Sequence, residues 1–307
     1  MKNERLRGLG TALITPFKAD MSVDYESLDR LLDTQLTGDI DYIVVLGTTG
    51  EAATMTADEK REVRQHIADY VSRHPSPVTH KPLPLVLGVG GNNTAQVVSD
   101  LKAMHDELVS TYAAILSVCP YYNKPSQEGL YQHFCTVAQA SPIPVILYNV
   151  PGRTGVNLLP ETVMRIYQSH PDKICGIKEA SGNVEQIKRL IALSTEYRVQ
   201  NTDQISQDGL LVISGDDGIA CELMQSGAAG LISVASNAFA HDFHQIVHEK
   251  DAKLQADYAE MIRLLFAEGN PAGIKTVLTH KGIIGNYLRL PLVANRDKIQ
   301  REIAPLL

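Results

Sequence analysis

The stretch Ile174-Cys-Gly-Ile-Lys-Glu-Ala-Ser-Gly182 is the most informative part of the sequence, because an apolar run ends there in a lysine and then in small turn residues. Such a run is typical of a buried parallel strand, and the turn residues mark the strand's end. Lys178 therefore stands where burial disfavours a charged ammonium group and favours a nucleophilic amine. A neutral amine forms a Schiff base with a ketone. On this stretch alone, a lysine that extends from the strand end into water is an open alternative.

Similar apolar runs recur along the chain and alternate with amphipathic stretches. They predict strands over residues 9–15, 42–46, 85–89, 113–118, 144–149, 174–178, 210–214 and 229–234. Eight strand–helix units predict an α/β fold, a closed (β/α)8 TIM barrel. An open, doubly wound sheet is disfavoured because the first strand–helix turn lacks Gly-x-Gly-x-x-Gly. Residues 88–91 come nearest to that motif, with Asn93 where the last glycine should stand.

The amphipathic stretches predict helices between the strands and a helical end to the chain. The helices are predicted over residues 25–37, 57–72, 94–108 and 127–139, and another begins at Pro160. Asp24 and Ser126 are the predicted N-caps. Further helices are predicted over residues 239–249, 254–268, 272–279 and 296–303. We therefore predict a catalytic barrel over residues 1–237 and a C-terminal helical appendage over residues 238–307, with a polar surface loop at residues 201–208.

Composition excludes several classes of partner. The 307 residues are 44% hydrophobic and 21% charged, with a formal net charge of −7. The negative charge argues against a nucleic-acid or anionic-membrane partner. No apolar run reaches the roughly 18 to 20 residues of a membrane helix. We see no signal peptide in the polar first residues and expect a cytoplasmic enzyme. The cysteines, Cys119, Cys135, Cys175 and Cys221, have no Cys-x-x-Cys spacing and are expected to be buried thiols.

Residues with chemical uses follow several predicted strands, and the carboxyl ends of barrel strands form the active-site face. Gly47-Thr-Thr-Gly-Glu51 can present N–H groups and hydroxyls to a carboxylate, although an ordinary turn has the same pattern. Tyr121-Tyr-Asn-Lys-Pro125 and Tyr148-Asn-Val-Pro151 supply phenols that can shuttle protons. Arg153 supplies a guanidinium that can bind a carboxylate in a bidentate manner. Together with Lys178, these groups predict a site that captures a carbonyl compound.

These motifs, with Arg153-Thr-Gly155 and Gly176-Ile-Lys-Glu-Ala180, resemble those of the dihydrodipicolinate synthase (4-hydroxy-tetrahydrodipicolinate synthase) family over nearly the whole chain. That family belongs to the pyruvate-dependent class I aldolases, which also include N-acetylneuraminate lyase and 2-keto-3-deoxy-sugar-acid aldolases. The resemblance implies a TIM barrel and a homotetramer built as a dimer of dimers. It implies small-molecule substrates, pyruvate and L-aspartate 4-semialdehyde, and the entry step of diaminopimelate and lysine synthesis. It implies no cofactor, because the imine on Lys178 is the electron sink.

The resemblance also implies a role for each matching residue. Lys178 is the implied Schiff-base lysine, and Tyr148 is the implied residue that moves protons. Thr48 is implied to link Tyr148 to a second tyrosine, Tyr122, which in the family reaches into the neighbouring subunit's site. The implied substrate-binding positions are Thr49 for the pyruvate carboxylate, Arg153 for the semialdehyde carboxylate, and the backbone of Gly215 and Ile232 along the pyruvate pocket.

The family's lysine-feedback site is matched only in part. The corresponding positions are Ala52, Ala53, Ala57, Lys60, Asn92, Gln96 and Tyr121. Ala57 and Lys60 stand where many lysine-inhibited members carry histidines, and Gln96 stands where a glutamate is expected. A lysine effector would meet the Lys60 cation and would lose a carboxylate partner. We therefore expect weak or absent inhibition by lysine.

Two groups of residues have the composition of metal ligands. His241, His244 and His248 fall on one face of a predicted helix at usable spacings. The sequence shows no carboxylate constellation beside them, so a solvated or subunit-interface face is the favoured interpretation. Asp216 and Asp217 follow a strand and are typical of a helix N-cap pair. We therefore predict no metal site.

Two rival functions stay open. A sister aldolase acting on a sugar acid is opposed by the Gly-Thr-Thr-Gly loop, because sialate lyases tend to carry serine at the first hydroxyl position. Arg153 also suits a short aldehyde that bears a carboxylate better than it suits a polyol. A catalytically inactive barrel that serves binding or regulation is opposed by the joint presence of Lys178, Tyr148, Thr48 and Tyr122.

Overall fold

Eight parallel strands form a closed barrel and follow one another in sequence order in the computed structural model, which describes residues 4–200 and 209–307. The strands are β1 (Gly8–Ala12), β2 (Tyr42–Val45), β3 (Leu85–Gly88), β4 (Ala114–Val118), β5 (Val145–Asn149), β6 (Ile174–Glu179), β7 (Leu211–Ser214) and β8 (Gly230–Ser233). The strand bounds differ from the predicted ones by at most three residues. The (β/α)8 prediction is therefore confirmed. The predicted surface loop at residues 201–208 lies outside the described residues.

Helices follow the strands and close the chain. They are α1 (Tyr25–Thr37), α2 (Ala57–Arg73), α3 (Thr94–Ala103), α4 (His105–Thr111), α5 (Gln127–Ala140), α6 (Pro151–Thr154), α7 (Pro160–Ser169), α8 (Val184–Gln200), α9 (Ala220–Gln225), α10 (Ser236–His248), α11 (Ala252–Asp257), α12 (Ala259–Phe266), α13 (Ala272–His280) and α14 (Asp297–Ile303). Short 3₁₀ turns occur at Glu4–Leu6, Ala52–Thr54, Asp217–Ile219 and Ala304–Leu306.

The predicted helix starts are confirmed by their capping contacts. The Asp24 carboxylate accepts from the Ser27 amide at 3.2 Å, and the Ser126 hydroxyl accepts from the Gly129 amide at 3.2 Å. Pro160 is the first residue of α7, where its missing N–H costs nothing. These side chains satisfy amide groups that the first turn of a helix leaves without partners.

Two predicted helices are each divided in two, so both predictions of one continuous helix are wrong. Met104, at φ −102° and ψ 15°, separates α3 from α4. Tyr258, at φ −84° and ψ −3°, separates α11 from α12. The Tyr258 ring packs edge-on against Phe239 and Phe243, at centroid distances of 5.1 and 5.5 Å. Tertiary packing of the ring therefore accompanies the break at Tyr258.

The described chain forms two compact units. One contains the chain up to Gly8 and Pro84–Ile232, and the other contains Leu9–Leu83 and Ser233–Leu307. The C-terminal helices α10 to α14 thus share a unit with β2, α1 and α2. The predicted division into residues 1–237 and 238–307 stays a prediction. The four cysteines are buried free thiols, as expected.

Candidate active site

Lys178 and Tyr148 are paired neighbours at the ends of β6 and β5. The parallel register places Tyr148 opposite Lys178, so both side chains point to the same face of the sheet. Both residues are buried, each with 6% exposure. The Lys178 Nζ lies 4.7 Å from the centre of the Tyr148 ring. The structure therefore brings together an amine and a phenol, as the sequence predicted.

Gly215 follows β7 and lies against the Lys178 side chain. A Cβ atom added at Gly215 would lie 2.8 Å from Lys178 Cε and 2.7 Å from Ala180 Cβ. Those distances are well inside ordinary carbon–carbon contact of about 3.5–4.0 Å. Only glycine leaves room for the lysine chain along this path. Ile232, the other predicted pocket residue, is a buried residue of β8 with 1% exposure.

An amide-lined carboxylate lies one residue beyond the lysine. Because side chains alternate along a strand, Glu179 points to the opposite face from Lys178. Its Oε2 accepts from Asn149 Nδ2 at 2.9 Å and from Gln186 Nε2 at 3.0 Å. Its Oε1 accepts from the Ser181 amide at 2.8 Å. This buried network ties the ends of β5 and β6 to the start of α8 and fixes the strands that carry Tyr148 and Lys178.

The loop after β2 is a tight turn that orients its two threonines differently. Leu46 and Glu51 have left-handed backbones, at φ 54° and 53°, and bracket the turn. Thr49 is 2% exposed, and its Oγ1 accepts from Asn270 Nδ2 at 2.9 Å. Thr48 is exposed. The Thr49 hydroxyl is therefore held in place. Because the Asn270 amide donates to a lone pair of Oγ1, the hydroxyl proton of Thr49 is available for donation to a different acceptor.

Glu51 closes this loop with a fully buried ion pair. Its carboxylate contacts Lys275 Nζ, and both side chains have 0% exposure. The Lys275 Nζ also donates to the Tyr287 carbonyl at 2.9 Å and lies 4.4 Å from the centre of the Phe17 ring. Burial lowers the pKa of Lys275 to about 8, and the Glu51 carboxylate opposes that shift. α13 therefore holds the end of the loop that carries both threonines.

Tyr122 and Arg153 lie on the surface of their unit. The Tyr122 side chain is 88% exposed on a left-handed backbone at φ 73°, an unusual conformation for a residue with a Cβ. Its amide donates to the Thr154 carbonyl at 3.4 Å. Within the described residues, Tyr122 makes no hydrogen bond with Tyr148. Arg153 is exposed on α6, directly after β5.

The positions that match the lysine-feedback site belong to several elements. Asn92 Nδ2 donates to the Tyr121 carbonyl at 3.2 Å, so these two positions are in contact. Gln96 Nε2 donates instead to Asp100 Oδ1 at 2.8 Å, one turn further along α3. The remaining positions are Ala52 and Ala53 in a 3₁₀ turn and Ala57 and Lys60 in α2.

Asp216 has the predicted capping role. Its Oδ1 accepts from the Gly218 amide at 2.9 Å at the start of a 3₁₀ turn. The expectation that no carboxylate accompanies the histidine face of α10 is wrong, because Asp41 lies beside His248. This contact could not be predicted from a local sequence pattern, because 207 residues separate the two positions.

Comparison with known proteins identifies the family. A model of the dihydrodipicolinate synthetase family matches residues 5–307. The chain belongs to the dihydrodipicolinate synthetase family. As a member of the dihydrodipicolinate synthetase family it is an enzyme, a lyase of the aldolase type in lysine and diaminopimelate biosynthesis. Among residues 4–200 and 209–307, no helix has the length and apolar composition that a bilayer crossing requires.

Similar proteins cover the whole chain. The 4-hydroxy-tetrahydrodipicolinate synthase of Parabacteroides distasonis is 44% identical, and the match covers 100% of this chain and 98% of that protein. A solved monomeric dihydrodipicolinate synthase variant is 34% identical with a TM-score of 0.88, covering 100% and 97%. The Acinetobacter baumannii dihydrodipicolinate synthase, solved in complex with pyruvate, is 35% identical with a TM-score of 0.85, covering 98% and 97%.

The sequence alone did not identify the residues that hold the candidate active site in place. Asn149 and Glu179 were visible as polar residues directly after Tyr148 and Lys178, which was a usable signal. Asn270 and Lys275 gave no such signal, because more than 200 residues separate them from the loop that they contact. Their roles depend on tertiary contacts that no local pattern records.

Proposed function

We propose that the chain condenses pyruvate with L-aspartate 4-semialdehyde to give 4-hydroxy-tetrahydrodipicolinate through an imine on Lys178. The observation that carries this proposal is the Lys178–Tyr148 pair, a buried amine 4.7 Å from the ring of a buried phenol. The amine supplies a nucleophile, and a phenol can both accept and donate a proton. Family membership supports pyruvate as the carbonyl compound.

The proposed reaction begins with attack of neutral Lys178 Nζ on the ketone carbon of pyruvate. Loss of water gives an iminium ion, and loss of a methyl proton gives an enamine. Tyr148 moves these protons, with Thr48 and Tyr122 as its proposed relay. The enamine carbon attacks the aldehyde carbon of the second substrate, and the new alkoxide takes up a proton. The substrate's own amine then attacks the imine carbon, closes the ring and releases Lys178 as a free amine.

The proposed substrate contacts follow from the chemistry of each side chain. Thr49 has a fixed hydroxyl suited to the pyruvate carboxylate, and Gly215 and Ile232 line the pyruvate pocket. Arg153 binds the carboxylate of the semialdehyde, because a guanidinium fits a carboxylate in a bidentate manner. We further propose that the imine is the only electron sink, with no cofactor, and that the enzyme acts in the cytoplasm.

We also propose a homotetramer in which Tyr122 serves the site of a neighbouring subunit. Its 88% exposure and left-handed backbone support this role, because strain in an exposed tyrosine is typical of a functional contact. Sedimentation velocity combined with activity tests the idea. Loss of activity on conversion to a monomer, with the fold retained, agrees with the proposal, whereas a fully active monomer contradicts it.

Weak or absent lysine inhibition is proposed from two features. Gln96 is engaged with Asp100 at 2.8 Å and offers no carboxylate to an ammonium group. Lys60 adds a positive charge that repels a cationic effector. Initial rates with increasing lysine test this directly, and inhibition at micromolar lysine contradicts it.

Borohydride trapping tests the central step. Reduction in the presence of pyruvate should convert the imine into a stable secondary amine on Lys178, which peptide mass spectrometry locates. Lys178→Arg should abolish the labelling. Lys173→Arg is the matched control, because Lys173 precedes the same strand, at its opposite end, and donates to the Ser141 carbonyl at 3.2 Å. Absence of a label at Lys178 in the unaltered protein rejects the mechanism.

Substrate assays separate the rival functions. Consumption of pyruvate with aspartate semialdehyde supports the proposal, and cleavage of N-acetylneuraminate supports a sister aldolase instead. Trapping without turnover of either substrate supports another aldol acceptor. Absence of both trapping and turnover supports a catalytically inactive barrel.

A further inference from the structure

A three-residue cluster with the chemistry of a metal site lies before β2, at the opposite end of that strand from the Gly47–Glu51 loop. It contains Asp41, His244 and His248, whose ligand atoms lie within 4.8 Å of one another. The two histidines are one helical turn apart on α10, with ring centroids 4.3 Å apart and ring planes inclined at 26°. His248 Nε2 lies 2.7 Å from Asp41 Oδ2. Two imidazoles and a carboxylate are a common ligand set for zinc.

Contacts outside the cluster orient two of the three ligands. His244 Nδ1 lies 2.6 Å from the Asp39 carbonyl. A carbonyl can only accept, so Nδ1 is the donor in this contact and Nε2 is the nitrogen left to bind a metal. The Leu9 amide donates to Asp41 Oδ2 at 2.6 Å and holds that carboxylate in place. Such outer contacts fix the tautomer and direction of metal-binding side chains.

We propose that Asp41, His244 and His248 form a binding site for a divalent transition metal of the zinc type. The site joins α10 to the start of β2 within one compact unit. The proposed catalytic residues follow the carboxyl ends of the strands, whereas this cluster precedes β2, so the proposed metal takes no part in the proposed reaction.

The geometry needs only small side-chain movements. In a tetrahedral zinc site the ligand atoms lie about 3.3 Å apart, given bonds of about 2.0–2.1 Å. The His248–Asp41 pair must open slightly as the metal replaces the proton between them, and the remaining distances must close by up to about 1.5 Å. The His248 and Asp41 side chains are 38% and 33% exposed, which leaves an entry path and room for water as a fourth ligand.

The test uses the full chain, stripped of metal by a chelator, without substrates. Because no substrate is present, the result is independent of the proposed catalytic function. Zinc chloride is titrated calorimetrically into the unaltered protein and into His244→Gln and His248→Gln. His241→Gln is the matched control, because His241 lies on the same helix and is exposed but is not a member of the cluster.

We expect one zinc ion per chain and a Kd that rises about tenfold or more in each cluster variant. The control should bind zinc as the unaltered protein does. Zinc should also raise the Tm of the unaltered protein and of the control, but not of the cluster variants, and metal-free melts establish that each variant is folded. The proposal is rejected if the unaltered protein has a Kd above about 1 mM. It is also rejected if the cluster variants bind zinc as tightly as the control.

Discussion

Replacing Gly215 with alanine should impair catalysis strongly in a protein that still folds. The added methyl group would lie 2.8 Å from Lys178 Cε, near the flexible end of that side chain, and 2.7 Å from Ala180 Cβ. The lysine can rotate away, but this moves the amine from its place beside Tyr148. Gly215→Ala therefore displaces the Lys178 amine, the proposed nucleophile, without changing the chemical nature of that group.

The size of the effect follows from the size of the overlap. Ordinary contact at about 3.5–4.0 Å requires Lys178 Cε to move by about 0.7–1.2 Å. A misplacement of about 1 Å in an active site costs about 100-fold in rate. Two factors of ten correspond to about 2.7 kcal/mol in the activation free energy. Overpacking against Ala180 should lower the free energy of unfolding by about 1–3 kcal/mol.

Steady-state kinetics, borohydride trapping and denaturant melts together check this expectation. kcat/KM and the trapping rate at Lys178 should both fall by about 100-fold in a variant that remains folded. Gly152→Ala is the control, because a Cβ added there meets no atom within 4 Å. The reasoning is refuted if Gly215→Ala traps pyruvate and turns over at the unaltered rates. Equal losses in both variants would refute it as well.

Three further predictions concern other contacts. Asn270→Ala removes the amide that fixes the Thr49 hydroxyl, so the KM for pyruvate should rise by about tenfold with little change in kcat. This rise corresponds to a loss of about 1.4 kcal/mol in binding free energy, and an unchanged KM contradicts the role of Asn270. A hydrogen bond from Arg289 lowers the pKa of Glu59 from its ordinary value of 4.5 to about 2. The stability that this contact adds above pH 4.5 should therefore be lost as the pH falls towards 2. In urea melts at a series of pH values, Glu59→Gln should remove this part of the pH dependence of the free energy of unfolding. Burial lowers the pKa of His133 from 6.5 to about 4, so stability should also fall from pH 6.5 to 4; a profile unaltered by His133→Gln in thermal melts contradicts this.

The strand ends could be predicted from the sequence because their signals are local. The apolar run before Lys178 and the one before Tyr148 each end in polar turn residues, which places both residues at strand ends. The register that pairs them, and the close passage of the lysine beside Gly215, arise only when neighbouring strands pack. The residues proposed to react could thus be identified from the sequence, whereas the packing around them could not.

Breaks within helices and contacts between distant residues were not predictable. Neither Met104 nor Tyr258 is a glycine or proline, so the amphipathic pattern continues across both breaks. The spacing of His244 and His248 was visible along α10. Their acidic neighbour Asp41 comes from the start of β2 and could be found only in the folded chain.

The buried pair of Lys275 and Glu51 links the C-terminal helix α13 to the loop that carries Thr48 and Thr49. Both side chains have 0% exposure, and the cost of removing two charges from water largely offsets their attraction. Such a pair adds little net stability, but leaving one partner alone costs about 3–5 kcal/mol. Glu51 ends the loop that carries Thr48 and Thr49, and Lys275 lies on α13. The observed loop conformation is therefore strongly favoured only when α13 is docked, which couples the proposed pyruvate-binding loop to the last part of the chain.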